Sequence, residues 1–374
     1  MPGGPSIREL LKRPVPLPED LGRLPADLVA LEDTHVLAHL AAAGARGRAM
    51  DVLQPPPGTY TRAPNPSKFR EAKRREHAAV SPRERELRLL TYNVALLHRT
   101  YLGQTVESPH RAGRRGPLIE VVFSGAWDLI LLQEVWNDAD ASEFRAAAEA
   151  AGYVVFTGAR RYEHGLFLAA RAPLVRREER SEHIYATQYH LEGAPGPSIR
   201  RGFLRWTIEG DAGRITVFDT HTSAFPWAAS RRAMQARELG LAAASRPEDE
   251  LVIVGGDLNA AWSYPSDEGP DGWTGWWANA ASIPLLLHYG GLEDAWVLAR
   301  GADEEPTATD ANELYRSQYG GTEHPARIDH VMVRPGRAQV ADAAVLFDQR
   351  RGDLGAPAPI ELSDHYGLGV CLTV

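Results

Sequence analysis

One pattern constrains this chain more than any other. Short, nearly unbroken apolar runs end at once in residues that bind cations or move protons. Residues 128–132 read D-L-I-L-L and lead into Gln133-Glu134, and residues 251–254 read L-V-I-V and lead into Gly255-Gly256-Asp257-Leu258-Asn259. Runs this short and continuous are strands buried on both faces. The pattern recurs along the chain. Residues 87–94 form a strand that carries Thr91-Tyr92-Asn93, and residues 215–220 carry Asp219-Thr220 into His221. Ile328-Asp329-His330 opens a strand over 328–333, and Ser363-Asp364-His365 precedes one over 367–372. Sites are commonly built at strand ends, where a rigid sheet meets adaptable loops.

The intervening segments set the fold class. Residues 142–151 are Ala-rich and helical, 117–123 read as the end of a helix, and 153–156 and 166–170 as strands. Residues 202–208 and 215–220 form a strand pair turning through Gly210–Gly213. A helix is expected over 230–244 with Ser230 as N-cap, and another over 283–289 ending at Gly290-Gly291. Hairpins interleave with helices, so the expectation is a mixed α/β sandwich and not a purely parallel sheet.

The start of the chain differs. Of 27 prolines, 11 fall in residues 1–66, which breaks regular structure there apart from one short helix expected over 25–43. Residues 67–88 hold eight basic and four acidic residues and read as a polar helix or linker; a basic arm is the sharper alternative. The net charge of −8 divides unevenly: residues 1–88 carry 15 basic and 11 acidic residues, residues 89–374 carry 26 and 38. The expected organisation is an irregular N-terminal extension over 1–88 and one catalytic domain over 89–374. A single cysteine, Cys371, rules out an intramolecular disulfide and a Cys-based zinc site. No signal-peptide pattern opens the sequence, and no apolar run approaches the ~18 residues of a membrane span. The chain reads as soluble and cytoplasmic.

The polar strand ends suit a magnesium site. Hard cations take oxygen ligands, and Glu134, Asp257, Asp364 and the amide oxygens of Asn93 and Asn259 supply them. His221 and His365 supply proton transfer near neutral pH. The chain has no nucleophile elbow, P-loop or dinucleotide fingerprint. Attack by an activated water on a phosphodiester is the favoured chemistry.

T-Y-N, L-L-Q-E-V-W, D-T-H-T, G-G-D-L-N, R-I-D-H-V and L-S-D-H-Y, in this order, resemble the signatures of the endonuclease/exonuclease/phosphatase superfamily. The resemblance runs from Leu89 to Val374. It implies the deoxyribonuclease-I-like fold, two packed mixed β-sheets flanked by helices in four layers. It implies that Glu134 binds Mg2+ with Asn93 beside it, and that Mn2+ or Co2+ can substitute. Asp257 would position the water or its metal, and Asn259 would hold a phosphate oxygen. His365 would be the general base, oriented by Asp329. Asp364 would bind metal or join the water network, and His221 would stabilise or protonate the leaving oxygen.

Within the superfamily the E-V-W segment, Gly165-Leu166-Phe167-Leu168, Arg201-Gly202-Phe203-Leu204 and the helix with Arg231, Gln235 and Glu238 look like neutral and bacterial sphingomyelinases. That implies a phospholipid substrate such as sphingomyelin and transient contact with a membrane surface. A nuclease of the same fold is the alternative, disfavoured by the acidic balance of residues 89–374. A non-catalytic binding protein is disfavoured because every expected catalytic position is filled. Trp273, Trp276 and Trp277 read as core packing or as a lipid or choline contact. His330 reads as structural, and Arg111, Arg114 and Arg115 as a solvated helix start or a phosphate clamp.

Overall fold

The computed structural model describes residues 85–101, 104–158, 164–187, 189–190, 197–210, 213–224, 228–261, 273–301, 305–319 and 325–374. The helix expected over 25–43 and nearly all of the 67–88 segment lie outside them. Strand β1 (Glu86–Asn93) begins three residues before the expected domain start. A hairpin, β2 (His98–Tyr101) and β3 (Gln104–Glu107), leads to α1 (Arg111–Ser124), β4 (Leu129–Gln133), α2 (Asp138–Ala150), β5 (Tyr153–Phe156) and β6 (Phe167–Arg171). Next come β7 (Arg177–Ile184), the short β8 (Tyr189–His190) and β9 (Pro197–Ile199), then β10 (Gly202–Gly210) and β11 (Gly213–His221). Helix α3 (Ala229–Ala244), β12 (Leu251–Asp257), α4 (Trp273–Gly290), β13 (Glu293–Asp294), α5 (Ala295–Arg300) and α6 (Glu313–Tyr319) follow. The last strands are β14 (Asp329–Val333), β15 (Gln339–Leu346) and β16 (Gly367–Thr373).

These strands make two six-stranded sheets, ordered β15-β16-β1-β4-β6-β5 and β13-β14-β12-β11-β10-β7. Both are mixed: β1–β4 and β11–β12 are parallel, their other neighbours antiparallel. Alternation along each strand sorts side chains into layers. Leu89, Leu131 and Leu168 of the first sheet meet Trp206, Val217, Ile253 and Val331 of the second in one core. The opposite face of the first sheet, through Leu90, Tyr92, Ile130 and Leu132, packs on Leu118 and Val122 of α1 and Phe144 of α2. The opposite face of the second, through Phe218, Val252 and Val254, packs on Leu239 of α3 and Leu286 of α4. The layering is helix, sheet, sheet, helix. Each fully buried leucine contributes on the order of 2 kcal/mol relative to exposure.

Some boundaries differ from the sequence reading. Helix α3 starts at Ala229 with Ala228 as N-cap and no side-chain cap, so Ser230 lies inside the first turn. Helix α4 starts at Trp273 and takes in the three tryptophans, whose side chains lie outside the described part of the structure. His330 is structural, as expected. It is fully buried, with Nε2 2.8 Å from Ala260 O and Nδ1 2.7 Å from Arg327.

Gly256 shows how closely β11 and β12 are drawn together beside the polar end of the sheet. It pairs with Thr220, has φ +139°, and an added Cβ would lie 1.9 Å from Thr220 O. Gly256→Ala therefore forces both strained backbone and strand separation. Urea unfolding should show a loss of more than about 3 kcal/mol; a loss below 1 kcal/mol would refute the account.

Candidate active site

All the catalytic candidates gather at one edge of the two sheets. Asn93 ends β1, and its register partner Gln133 ends β4, with Glu134 next. His221, Asp257 and Asp329 form one row across the second sheet, His221 opposite Asp257 and Asp257 opposite Asp329. Ser363-Asp364-His365 lies just before β16. Positions 93 to 365 thus converge because β1, β4, β11 and β12 end where β14 and β16 begin.

Asp257 is the hub. Its Oδ2 accepts from Asn93 Nδ2 at 2.9 Å and lies 3.2 Å from His221 Nε2 and 3.9 Å from His365 Nε2. Its Oδ1 accepts from the Asn259 backbone N–H at 2.8 Å. Burial opposes ionisation of this carboxyl, but His221, His365 and the hydrogen bonds from His221 and Asn93 outweigh it. The result holds Asp257 well below the usual carboxylate range. His365 Nδ1 lies 2.9 Å from Asp329 Oδ2. Burial disfavours the His365 imidazolium, yet Asp329, Asp257 and Asp364 overcome it and raise its pKa well above that of free imidazole. Asp329 moves up as well, through burial opposed by His365. His221 is pushed down, by burial first and then by the Arg201 guanidinium, despite the attraction of Asp257. A neutral His221 with Nε2–H toward Asp257 leaves Nδ1 as an acceptor.

Other groups hold this frame. Ser363 Oγ donates to Asn93 O at 2.6 Å and accepts from the His365 N–H at 3.2 Å, joining the loops after β1 and before β16. Thr307 Oγ1 accepts from the Asp329 N–H at 3.2 Å. Gln235 of α3 accepts the Ser223 N–H at 2.9 Å and fixes the turn after His221. Trp136 lies against both His221, with ring centroids 6.3 Å apart, and Arg201, whose Cζ is 5.6 Å from the ring. Beneath the site Gln133 Nε2 donates to Asp219 Oδ1 at 2.7 Å and bridges the two sheets. Asp219 is fully buried, and burial raises its pKa well above normal despite the hydrogen bonds from Gln133 and the Phe167 backbone. Ser363, Thr307, Asp219 and Gln133 had drawn no role from sequence. Their types are ordinary; only their partners make them matter.

The donor chemistry fits a hard divalent cation. Asp257, Asp329 and His365 offer ligand atoms within 4.8 Å of one another, and Asp329 Oδ1 is a buried acceptor with no hydrogen-bond partner. Glu134 is half-buried, carries a left-handed φ of +65°, and its carboxylate meets no hydrogen-bond partner among the described residues. Strain of this kind in a non-glycine residue is concentrated at functional sites. Asn93 is more committed than the sequence implied: Nδ2 serves Asp257 and Oδ1 accepts the Ala95 N–H at 3.0 Å, which leaves one lone pair. Asn259 also has positive φ, +46°, and its Nδ2 reaches Thr222 O at 3.4 Å. Asp364 is buried, its Oδ1 3.4 Å from Ser363 Oγ. The three arginines read as a solvated helix start or a phosphate clamp are neither as a group: Arg111 and Arg115 pair with the buried Asp140, and Arg114 is fully buried.

The architecture is a four-layer α/β sandwich, helix–sheet–sheet–helix, with acids and histidines gathered at one edge of the sheets. The model described as "Endonuclease/Exonuclease/phosphatase family" matches residues 90–365, and the chain belongs to that family. Solved structures agree on the fold. Sphingomyelinase C from Streptomyces griseocarneus superposes with TM-score 0.55 at 20% identity, over 78% of this chain and 99% of that one. D. rerio TDP2 complexed with single strand DNA product gives 0.56 at 18%, over 77% and 99%. Beta toxin from Staphylococcus aureus gives 0.57 at 15%, over 76% and 99%. No curated protein matches the chain.

The raised pKa of Asp219 has a consequence for stability. Its folded pKa lies above the unfolded value, so its contribution is full below pH ~4 and is lost as pH rises. Asp219→Asn keeps the acceptor and removes the charging penalty. In urea titrations the variant should gain stability over the parent between pH 5 and 8, with the gap closing toward pH 4. A gap that widens on acidification would overturn the upward shift of Asp219.

Proposed function

We propose that this chain is a Mg2+-dependent phosphodiesterase that hydrolyses a phospholipid such as sphingomyelin, by attack of water on phosphorus with release of the phospho-headgroup. The observation that carries the reading is the array Asp329–His365···Asp257···His221. Asp329 takes the Nδ1–H of His365 and orients the ring, so Nε2 faces Asp257 and is the atom that removes a proton from water. Asp257, kept ionised, holds the water between itself and that Nε2. Asn93 and the Asn259 N–H keep Asp257 from turning. His221 enters neutral and stabilises the leaving oxygen, which is protonated at the expense of the proton that His365 took from the water, passed on through solvent. Mg2+, held by Glu134, Asp257, Asp364 and the Asn93 amide oxygen, would offset the charge that develops on phosphorus.

The same machinery would serve a nucleic-acid phosphodiester, and that is the alternative substrate. The lipid reading is favoured by the sphingomyelinase-like segments, E-V-W and R-G-F-L, and by the excess of 38 acidic over 26 basic residues in 89–374, which repels a polyanion. Leu241 is the large apolar side chain exposed among the described residues, and no helix among them is long and apolar enough to cross a membrane.

EDTA should stop turnover and Mg2+ restore it. His365→Ala should lower kcat by roughly 10²–10⁴-fold with the fold intact by circular dichroism. Asp329→Asn removes the carboxylate that favours the imidazolium, so the ascending limb of the pH–rate profile should move to lower pH while its plateau falls. An unmoved limb, or near-normal His365→Ala, would remove His365 as the base. Substrate class is read from a panel of sphingomyelin, lysophosphatidylcholine, plasmid DNA and abasic DNA with Mg2+. Phosphocholine release is expected, and cleavage of DNA alone would overturn the lipid reading.

A further inference from the structure

Arg114 is a fully buried cation to which the reaction assigns no contact. It sits in the first turn of α1, and its guanidinium is spent on backbone carbonyls. Nε donates to Pro109 O at 2.9 Å, and one terminal nitrogen donates to Leu362 O at 2.6 Å and Val94 O at 3.3 Å. The other donates to Ala95 O at 2.5 Å. No carboxylate lies within ion-pair distance of it among the described residues. Burial pulls its pKa down, and the fields of Asp364, Tyr92 and Glu134 work the other way.

Those carbonyls are well chosen. The β1–β16 ladder runs from Glu86↔Thr373 to Thr91↔Leu368 and stops there. Beyond it lie Asn93–Ala95 on one side and Leu362–His365 on the other, the two segments that bring Asn93 and His365 to Asp257. Arg114 reaches both with one rigid, planar fork, and Ser363 Oγ to Asn93 O is a second link. An apolar side chain would fill the space without the desolvation cost of a guanidinium. Lysine carries its donors on one atom and cannot span carbonyls this far apart.

We propose that Arg114 is a positioning residue: it replaces the missing ladder bonds and sets the distance between the Asn93 segment and the His365 segment, hence the placement of the base against Asp257. The catalytic part of this proposal rests on the phosphodiesterase reading; the structural part does not. Arg171 is an internal comparison. It too donates to carbonyls, of Trp127 at 3.0 Å, Ala151 at 2.8 Å and Gly125 at 3.3 Å, but at the end of β6 away from the site.

The test compares Arg114→Met, Arg114→Lys and Arg171→Met by urea unfolding, amide hydrogen exchange, and kinetics on bis(4-nitrophenyl) phosphate with Mg2+. In the Arg114 variants exchange should quicken at least about tenfold at residues 93–97 and 362–366 while the sheet interior stays protected. The kcat value should fall roughly 100-fold with KM changed less than about twofold. Arg171→Met should lose comparable stability with kcat nearly unchanged. If Arg114→Met does not fold, Arg114→Lys, which keeps charge and most of the volume, carries the comparison. Unchanged exchange in the two segments overturns the proposal, and so does an equal loss of kcat in Arg171→Met. If the parent enzyme fails to cleave the probe, the phosphodiesterase reading fails alone, and exchange still decides whether Arg114 holds the two segments.

Discussion

A carboxylate removed from water must meet a cation, collect donors, or stay protonated. This molecule buries Asp219, Asp257, Asp294, Asp329 and Asp364 and uses each of these solutions. Asp257 is ionised between two imidazoles and an amide. Asp329 is tied to His365, and Asp294 is gripped by the Arg327 guanidinium at 3.1 Å. Asp219, under the Gln133 amide, is shifted toward its protonated form by burial. Most of what is unusual at the sheet edge follows from this requirement, including the two histidines that point at one oxygen and the close approach that Gly256 permits.

The sheets convert that local requirement into fixed geometry. Register places His221, Asp257 and Asp329 side by side on adjacent strands, so their spacing is the strand spacing and needs no loop to define it. The inter-sheet core then holds the second sheet at a set distance from the first, which carries Asn93, Glu134 and the approach to His365. Loops contribute where the ladders end, and there the burden passes to side chains such as Arg114, Ser363 and Thr307.

The buried strands were legible because their apolar runs are continuous: β4, β12 and β16 lie within a residue or a few of their expected bounds. The edge strand β7, R-E-E-R-S-E-H-I, was not, since one neighbour and solvent leave its charges exposed and erase alternation. The edge strand β15 of the other sheet, Q-V-A-D-A-A-V-L, was not legible for another reason: its three alanines suit a helix better than a strand and blur the alternation. The chemical residues were legible as types at strand ends, and their order in the chain carried the family likeness. Their couplings were not. Nothing in H-R-A-G-R-R tells which arginine turns inward, and nothing in T-Y-N shows that the Asn93 amide is already divided between Asp257 and Ala95. Those facts depend on contacts between positions such as 114 and 362, which local sequence does not encode.

β16 lies between β15 and β1, and Ser363 meets Asn93 across 270 positions. During synthesis at 5–20 residues per second, β1 waits on the order of tens of seconds for the strand that completes its sheet and for His365 beside it. Until then the nascent chain holds Asn93, Glu134 and Asp257 without His365 beside them. Vectorial synthesis thus completes this sheet, and the cluster at its end, only when β16 is laid down.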